Sequence, residues 1–325
     1  MKKLISFLML FIFMFSFTSC SNENAKSNSK YSFEKPNFIK DTSNILFIGN
    51  SQLSYNDSPK EFSSIASENG KNVTVNNMYI DGSGLEQHCE AIRNNENDQQ
   101  ELLKQADVVV LQDYWLNCQS EKYINEIKGY CKKDVKMYFY LTHYNSGVYA
   151  DVWKYSSNDW IDYQKLTGQT VLNKSPYDAW KRYINNKATD DDIKLLSNNI
   201  LYAPYDAYKN MNLYYIPEGF TFDRLIFNYN IRLEELIEST DYIHPTSLMS
   251  YIDALIIYRT LFGNIKADEN MINTRWDNGY SKPKALIKNI NSAVEESYNE
   301  FYSGTAKVLE FKLKYQYIDL NKLLG

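Results

Sequence analysis

Asn44-Ile45-Leu46-Phe47-Ile48-Gly49-Asn50-Ser51 is the stretch that decides the fold. Ile45 to Ile48 are apolar without alternation and end at a glycine, the pattern of a strand buried on both faces and followed by a tight turn. Ser51 then stands just past the carboxyl end of that strand, where open parallel sheets place their sites.

Outward from this strand, helical and strand patterns alternate. A helix is expected over 59–68, closed by Asn69-Gly70, then a strand over 73–80 and helical segments over 85–92 and 99–105. The run Asp107-Val108-Val109-Val110-Leu111-Gln112 reads as a third strand, 121–130 as its helix and 135–142 as a fourth strand. Strands separated by helices predict an α/β fold of three layers, a parallel central sheet with helices on both faces. The pattern weakens over 144–200, where Trp153, Trp160 and Trp180 lie among polar residues, and this region reads as an insertion or lid. Beyond it, a fifth strand is expected at 212–216, helices at 223–238, 248–262 and 284–302, and a last strand at 306–317.

The amino terminus, Met1-Lys2-Lys3 followed by an apolar and hydroxyl run over 4–17 and then Thr18-Ser19-Cys20, reads as a secretory signal. Its apolar core is shorter than the ~20 residues that span a bilayer. The end of this run resembles the bacterial lipobox, in which the cysteine becomes the acylated first residue; Phe17 occupies the place usually held by an aliphatic residue. The expectation is a signal peptide at 1–19, lipidation at Cys20, a polar tether at 20–37 and a folded domain at 38–325. The protein would then be exported and held on the outer face of a bacterial membrane.

Net charge of −5 and a pI near 5.4 argue against a nucleic-acid partner, which needs clustered Lys and Arg. Besides Cys20, the cysteines are Cys89, Cys118 and Cys131, without the paired spacing of a zinc site, so no metal and no disulfide framework are expected.

Three residue sets fall on loops beyond strand ends. Gly49-Asn50-Ser51 offers a hydroxyl on a strand-to-helix turn, where backbone N–H groups can face a developing oxyanion. Alone, it also reads as a turn whose serine caps the next helix. Asp241 and His244 precede Pro245, which biases His244 toward an extended backbone. A carboxylate three residues before an imidazole can orient it as a general base; the competing reading is an ordinary helix start. Asp81-Gly82-Ser83-Gly84 leads into Leu85-Glu86-Gln87-His88, and glycines there let backbone amides approach a ligand, or simply make a turn.

The order of Gly49-Asn50-Ser51, Gly82 and Asp241-x-x-His244-Pro245 resembles the SGNH/GDSL hydrolases, esterases and lipases on a flavodoxin-like fold. Leu85-Glu86-Gln87-His88 and the Val110-Leu111-Gln112 strand end resemble a bacterial branch of SGNH-like lipoproteins. The resemblance implies Ser51 as nucleophile, His244 as base, Asp241 as its carboxylate, and the Ser51 and Gly82 N–H groups as oxyanion donors. Two departures stand out: Asn50 replaces the usual Asp, and the family's Gly-x-Asn-Asp block is replaced by Leu111-Gln112-Asp113-Tyr114. In that frame Gln112 would supply the missing side-chain amide. His88, one helical turn past the glycines, reads as a packed structural residue, or as one that lines the pocket or buttresses Gly82, and His143, at the end of the fourth strand, as a candidate substrate contact. The implied reaction is cofactor-free ester hydrolysis, on an O-acetylated carbohydrate or another small ester. A lipid or lysophospholipid esterase and a non-catalytic binding lipoprotein are the alternatives.

Overall fold

The computed structural model describes residues 33–113, 120–143, 213–238, 244–276 and 282–303. The expected signal peptide at 1–19, Cys20, most of the tether, the insertion at 144–200, Asp241, Cys118 and the last strand at 306–317 lie outside the described residues.

The elements run β1 (Asn44–Gly49), α1 (Ser51–Ser54), α2 (Ser58–Glu68), β2 (Thr74–Tyr79), α3 (Leu85–Arg93), α4 (Gln99–Gln105), β3 (Val108–Leu111), α5 (Ser120–Tyr130) and β4 (Lys136–Tyr140). From residue 213 onward come β5 (Tyr214–Ile216), α6 (Glu218–Phe227), α7 (Leu233–Leu236), α8 (Ser247–Phe262), α9 (Glu269–Arg275) and α10 (Leu286–Ser303). All strand pairs are parallel, in the order β2-β1-β3-β4-β5. That is the flavodoxin-like order, whose switch point lies between β1 and β3.

Burial follows position in the sheet. In the interior strands β1, β3 and β4, every residue is buried except the first of β1 and of β4, whereas edge strand β2 (Thr-Val-Asn-Asn-Met-Tyr) is polar and half exposed. Parallel neighbours require crossovers, and the helices divide accordingly: α2, α8, α10 and α6 form one contiguous layer, while α3, α4 and α5 form the other. The expected α/β three-layer architecture is therefore the observed one.

Helix α8 is buried nearly all round, so its polar residues need partners. Arg259 meets Glu295 of α10 through two hydrogen bonds of 2.6 and 2.9 Å, with its guanidinium 3.8 Å from the Tyr298 ring centroid. The Arg259 bonds hold the Glu295 carboxyl below its ordinary pKa. Asp253 accepts a 3.1 Å bond from Ser58 at the start of α2.

Two expectations need correction. The single helix over 223–238 is two helices, α6 and α7. Asn230 adopts a left-handed φ of 54°, and the Ile231 N–H turns back to the Leu225 carbonyl at 2.8 Å, which ends α6 where apolar periodicity alone suggested continuation. The tether also ends earlier than 37. Phe33 stacks on Phe301 at 4.6 Å between centroids, and Lys35 Nζ lies 5.1 Å from the Tyr298 ring, so the chain is already seated on α10 there. An aromatic residue in a polar run can seat it on a buried face in this way.

Phe47 lies at the centre of β1, fully buried, with its ring 5.8 Å from that of Phe62 on α2. Phe47→Ala is expected to lower the unfolding free energy by about 3–5 kcal/mol. Urea titration would show this as a lower midpoint at unchanged slope.

Candidate active site

The site is assembled where β1 ends. Gly49 has no room for a side chain: an added Cβ would lie 2.7 Å from Gln112 Oε1 and 2.9 Å from Leu53 Cδ1. Its carbonyl accepts from the Ile80 N–H at 3.1 Å and from His88 Nε2 at 3.0 Å. Asn50 follows, fully buried, with its side-chain amide used at both ends. Asn50 Oδ1 accepts from the Gln52 N–H at 3.0 Å and caps α1, while Asn50 Nδ2 donates to the Ser83 carbonyl at 2.7 Å. The Asn50 N–H donates to Gln112 Oε1 at 2.9 Å. Buried amides joined in this way tie the ends of β1, β2 and β3 into one network.

Ser51 is the first residue of the one-turn helix α1 and half-buried. Gly82 lies in the turn after β2, exposed, with a left-handed φ of 70° that suits glycine. Neither the Ser51 N–H nor the Gly82 N–H has a hydrogen-bond partner among the described residues. The turn is held by Ser54 Oγ, which donates to Asp81 Oδ1 at 2.9 Å, and by the Asn50 bond to Ser83. Asp113 supports it from β3: its Oδ1 accepts from the Leu85 N–H at 3.3 Å at the start of α3, where a carboxylate also suits the helix dipole. Ser120 Oγ donates to its other oxygen at 3.0 Å.

His244 arrives from the far end of the chain. An antiparallel bridge pairs Ile237 with Pro245, the Glu238 N–H donates to the His244 carbonyl at 2.9 Å, and Thr246 caps α8 by accepting from the Met249 N–H at 3.2 Å. The imidazole stacks on Tyr55, with centroids 4.4 Å apart and planes 13° from parallel. Asn56 Nδ2 donates to the Pro245 carbonyl at 2.7 Å, and the Tyr55 N–H donates to the Ser51 carbonyl at 3.0 Å. His244 therefore sits against the residue one helical turn beyond Ser51. Asp241 lies outside the described residues.

Gln112 and His143 are placed away from a substrate, and of the readings open for His88 the packed structural one is observed. Gln112 is fully buried, its Oε1 holding the Asn50 N–H and its Nε2 donating to the Asp113 carbonyl at 2.9 Å, so it positions the turn from beneath instead of facing a substrate. His88 is also fully buried and braces Gly49. Its carbonyl partner puts the proton on Nε2, Nδ1 has no partner among the described residues, and burial lowers its pKa to about 4. His143 is 2% exposed, tilted against Phe222 at 5.1 Å, with Nδ1 3.6 Å from Glu218 Oε1. An imidazole with so little exposed surface packs inside the rim, not in a substrate cleft.

Sequence reasoning missed the buried acids beside His143. Burial pushes the Glu218 and Asp253 carboxyls well above their ordinary pKa. Asp253 was legible as a lone acid within the apolar run of α8. Glu218 begins a helix, which by itself signals only an amino-terminal turn.

No protein-family model matches the chain, and no curated protein matches it in sequence. Among solved structures, it is similar to a DUF4886 family protein from Bacteroides uniformis, at 18% identity and a TM-score of 0.43, covering 80% of this chain and 94% of that one. It is also similar to a candidate SGNH hydrolase from Slackia heliotrinireducens, at 15% identity and a TM-score of 0.40, covering 67% and 98%. A third is a catalytic mutant of Axe2, an acetylxylan esterase from Geobacillus stearothermophilus, at 12% identity and a TM-score of 0.42, covering 71% and 99%.

Two predictions follow from the geometry. Asn50→Asp removes the donor that meets the Ser83 carbonyl, and is expected to cost about 1–3 kcal/mol at neutral pH. Thermal unfolding should show the loss easing toward acid, where a protonated carboxyl again donates. For His88, the unfolded imidazole takes up a proton below about pH 6.5 that the folded one refuses until about pH 4. Its contribution is thus fully present above 6.5 and declines as pH falls to 4, by about 3 kcal/mol in all. Urea midpoints of wild type and His88→Gln across that window should diverge with this sign.

Proposed function

We propose that this protein is a serine ester hydrolase acting through an acyl-enzyme, with Ser51, His244 and Asp241 as its triad. The observation that carries the reading is the α1 turn: Ser51 opens a helix directly after β1, the Ser51 and Gly82 N–H groups have no hydrogen-bond partner among the described residues, and the His244 ring stacks on Tyr55, four residues beyond Ser51.

In this mechanism the His244 imidazole takes the Ser51 hydroxyl proton as Oγ bonds to the ester carbonyl carbon. The carbonyl oxygen becomes an oxyanion toward the Ser51 and Gly82 N–H groups. As the intermediate collapses, the alkoxy C–O bond breaks and the leaving alcohol takes the proton from His244. Water then attacks the acyl carbon, His244 again accepting the proton; as this second intermediate collapses, the acyl C–Oγ bond breaks, Ser51 Oγ takes the proton back from His244, and the carboxylic acid leaves. Asp241 orients the imidazole and stabilises its charged form. Gln112 contributes by holding Asn50, and through it the turn that presents the Ser51 N–H.

The substrate class proposed is an O-acetylated carbohydrate outside the cell. Its support is the secretory and lipobox-like amino terminus, with Cys20 as the anchor, and the Trp153, Trp160 and Trp180 side chains of the insertion, whose ring faces suit sugars. Lipid esters are the competing substrates.

A fluorophosphonate probe is expected to label wild type and not Ser51→Ala, and Ser51→Ala should reduce turnover by at least about a thousandfold. Folded wild type that stays unlabelled would instead favour a binding protein on the same fold. Release of acetate from acetylated sugars, against fatty acid from lipids, decides the substrate.

A further inference from the structure

We infer that Tyr55 is a positioning residue for the His244 base, working together with Asn56, so that the segment carrying the nucleophile also carries the seat of its base. The inference deepens the hydrolase reading and rests on it. Tyr55 is 50% exposed, with part of its ring left to solvent. One ring face lies against His244, nearly parallel at 4.4 Å between centroids. The backbone beneath is rigidly registered to the nucleophile, because the Tyr55 N–H closes the α1 turn on the Ser51 carbonyl at 3.0 Å. The next residue, Asn56, grips the same loop through the Pro245 carbonyl at 2.7 Å. Ring stacking and backbone tether thus act on adjacent residues of one loop, His244 and Pro245, from adjacent residues of one turn.

The chemistry gives the stack a direction. A neutral imidazole gains modestly from an aromatic face, whereas the imidazolium formed as Ser51 loses its proton gains the attraction between a cation and the electron-rich ring. The contact therefore favours the state that forms on the way to the tetrahedral intermediate, and its removal should fall on kcat more than on KM. The tyrosine hydroxyl plays no part in this account; the ring face does.

Wild type, Tyr55→Phe, Tyr55→Leu, Asn56→Ala and Ser51→Ala, each checked for folding by circular dichroism, are reacted with a fluorophosphonate probe and assayed on p-nitrophenyl acetate. Tyr55→Leu is expected to slow labelling and lower kcat by about five- to tenfold at nearly constant KM. Tyr55→Phe should recover most of the rate, and Asn56→Ala should also lower kcat. If Tyr55→Leu does not fold, Tyr55→Gln takes its place. Labelled wild type with Tyr55→Leu equally fast, or with Tyr55→Phe as slow as Tyr55→Leu, overturns the role of Tyr55 alone. Folded wild type that is not labelled at all overturns the hydrolase reading, and the role of Tyr55 with it.

Discussion

The side-chain amide of Asn50 is the interaction on which the site depends. It is buried, and it must accept at one end and donate at the other: from the Gln52 N–H and to the Ser83 carbonyl. A carboxylate in its place would accept twice and donate nothing, leaving a desolvated carbonyl without a partner. The departure from the Asp of the SGNH/GDSL pattern is thus matched by its surroundings. With the loop after β2 hung from this amide, Gly82 is held beside the start of α1, and the Asn50 N–H in turn fixes Gln112 at the end of β3.

The residues around it divide by access to water. Ser51, Gly82, Tyr55 and His244 keep exposed surface, while Asn50, His88, Gln112 and His143 have almost none. The first group is open to solvent; in the second, Asn50, Gln112 and His88 brace the turn after β1, while His143 packs against Phe222 and Glu218. His88 shows what burial does to chemistry: it keeps the imidazole neutral across the physiological range, so it braces Gly49 as a plain N–H donor and not as a proton carrier. Glu218 and Asp253 follow the same logic on the other side of the sheet, their carboxyls pushed toward the neutral form by lack of solvent.

Helix α8 joins these halves. Its apolar surface fills the layer against α2 and α10, while Arg259 and Asp253 spend their polarity on Glu295 and Ser58. Its amino-terminal cap, Thr246, lies two residues from His244, so the packing of a long buried helix sets where the imidazole loop begins. For the proposed hydrolase, this puts a rigid element behind the imidazole, as a preorganised site requires.

The sequence by itself determined the alternation of buried strands and helices, the turn after β1 and the loop presenting His244, because strand burial, glycine and proline act over a few residues. It could not separate one helix from two at Asn230, nor tell that Phe33 would find Phe301, because those outcomes depend on partners far along the chain. The same applies to the histidines. The Asp241-x-x-His244-Pro245 spacing already set His244 apart, but only the tertiary structure, by withdrawing water from His88 and His143, placed those two inside the packed interior, because burial is decided by partners far along the chain.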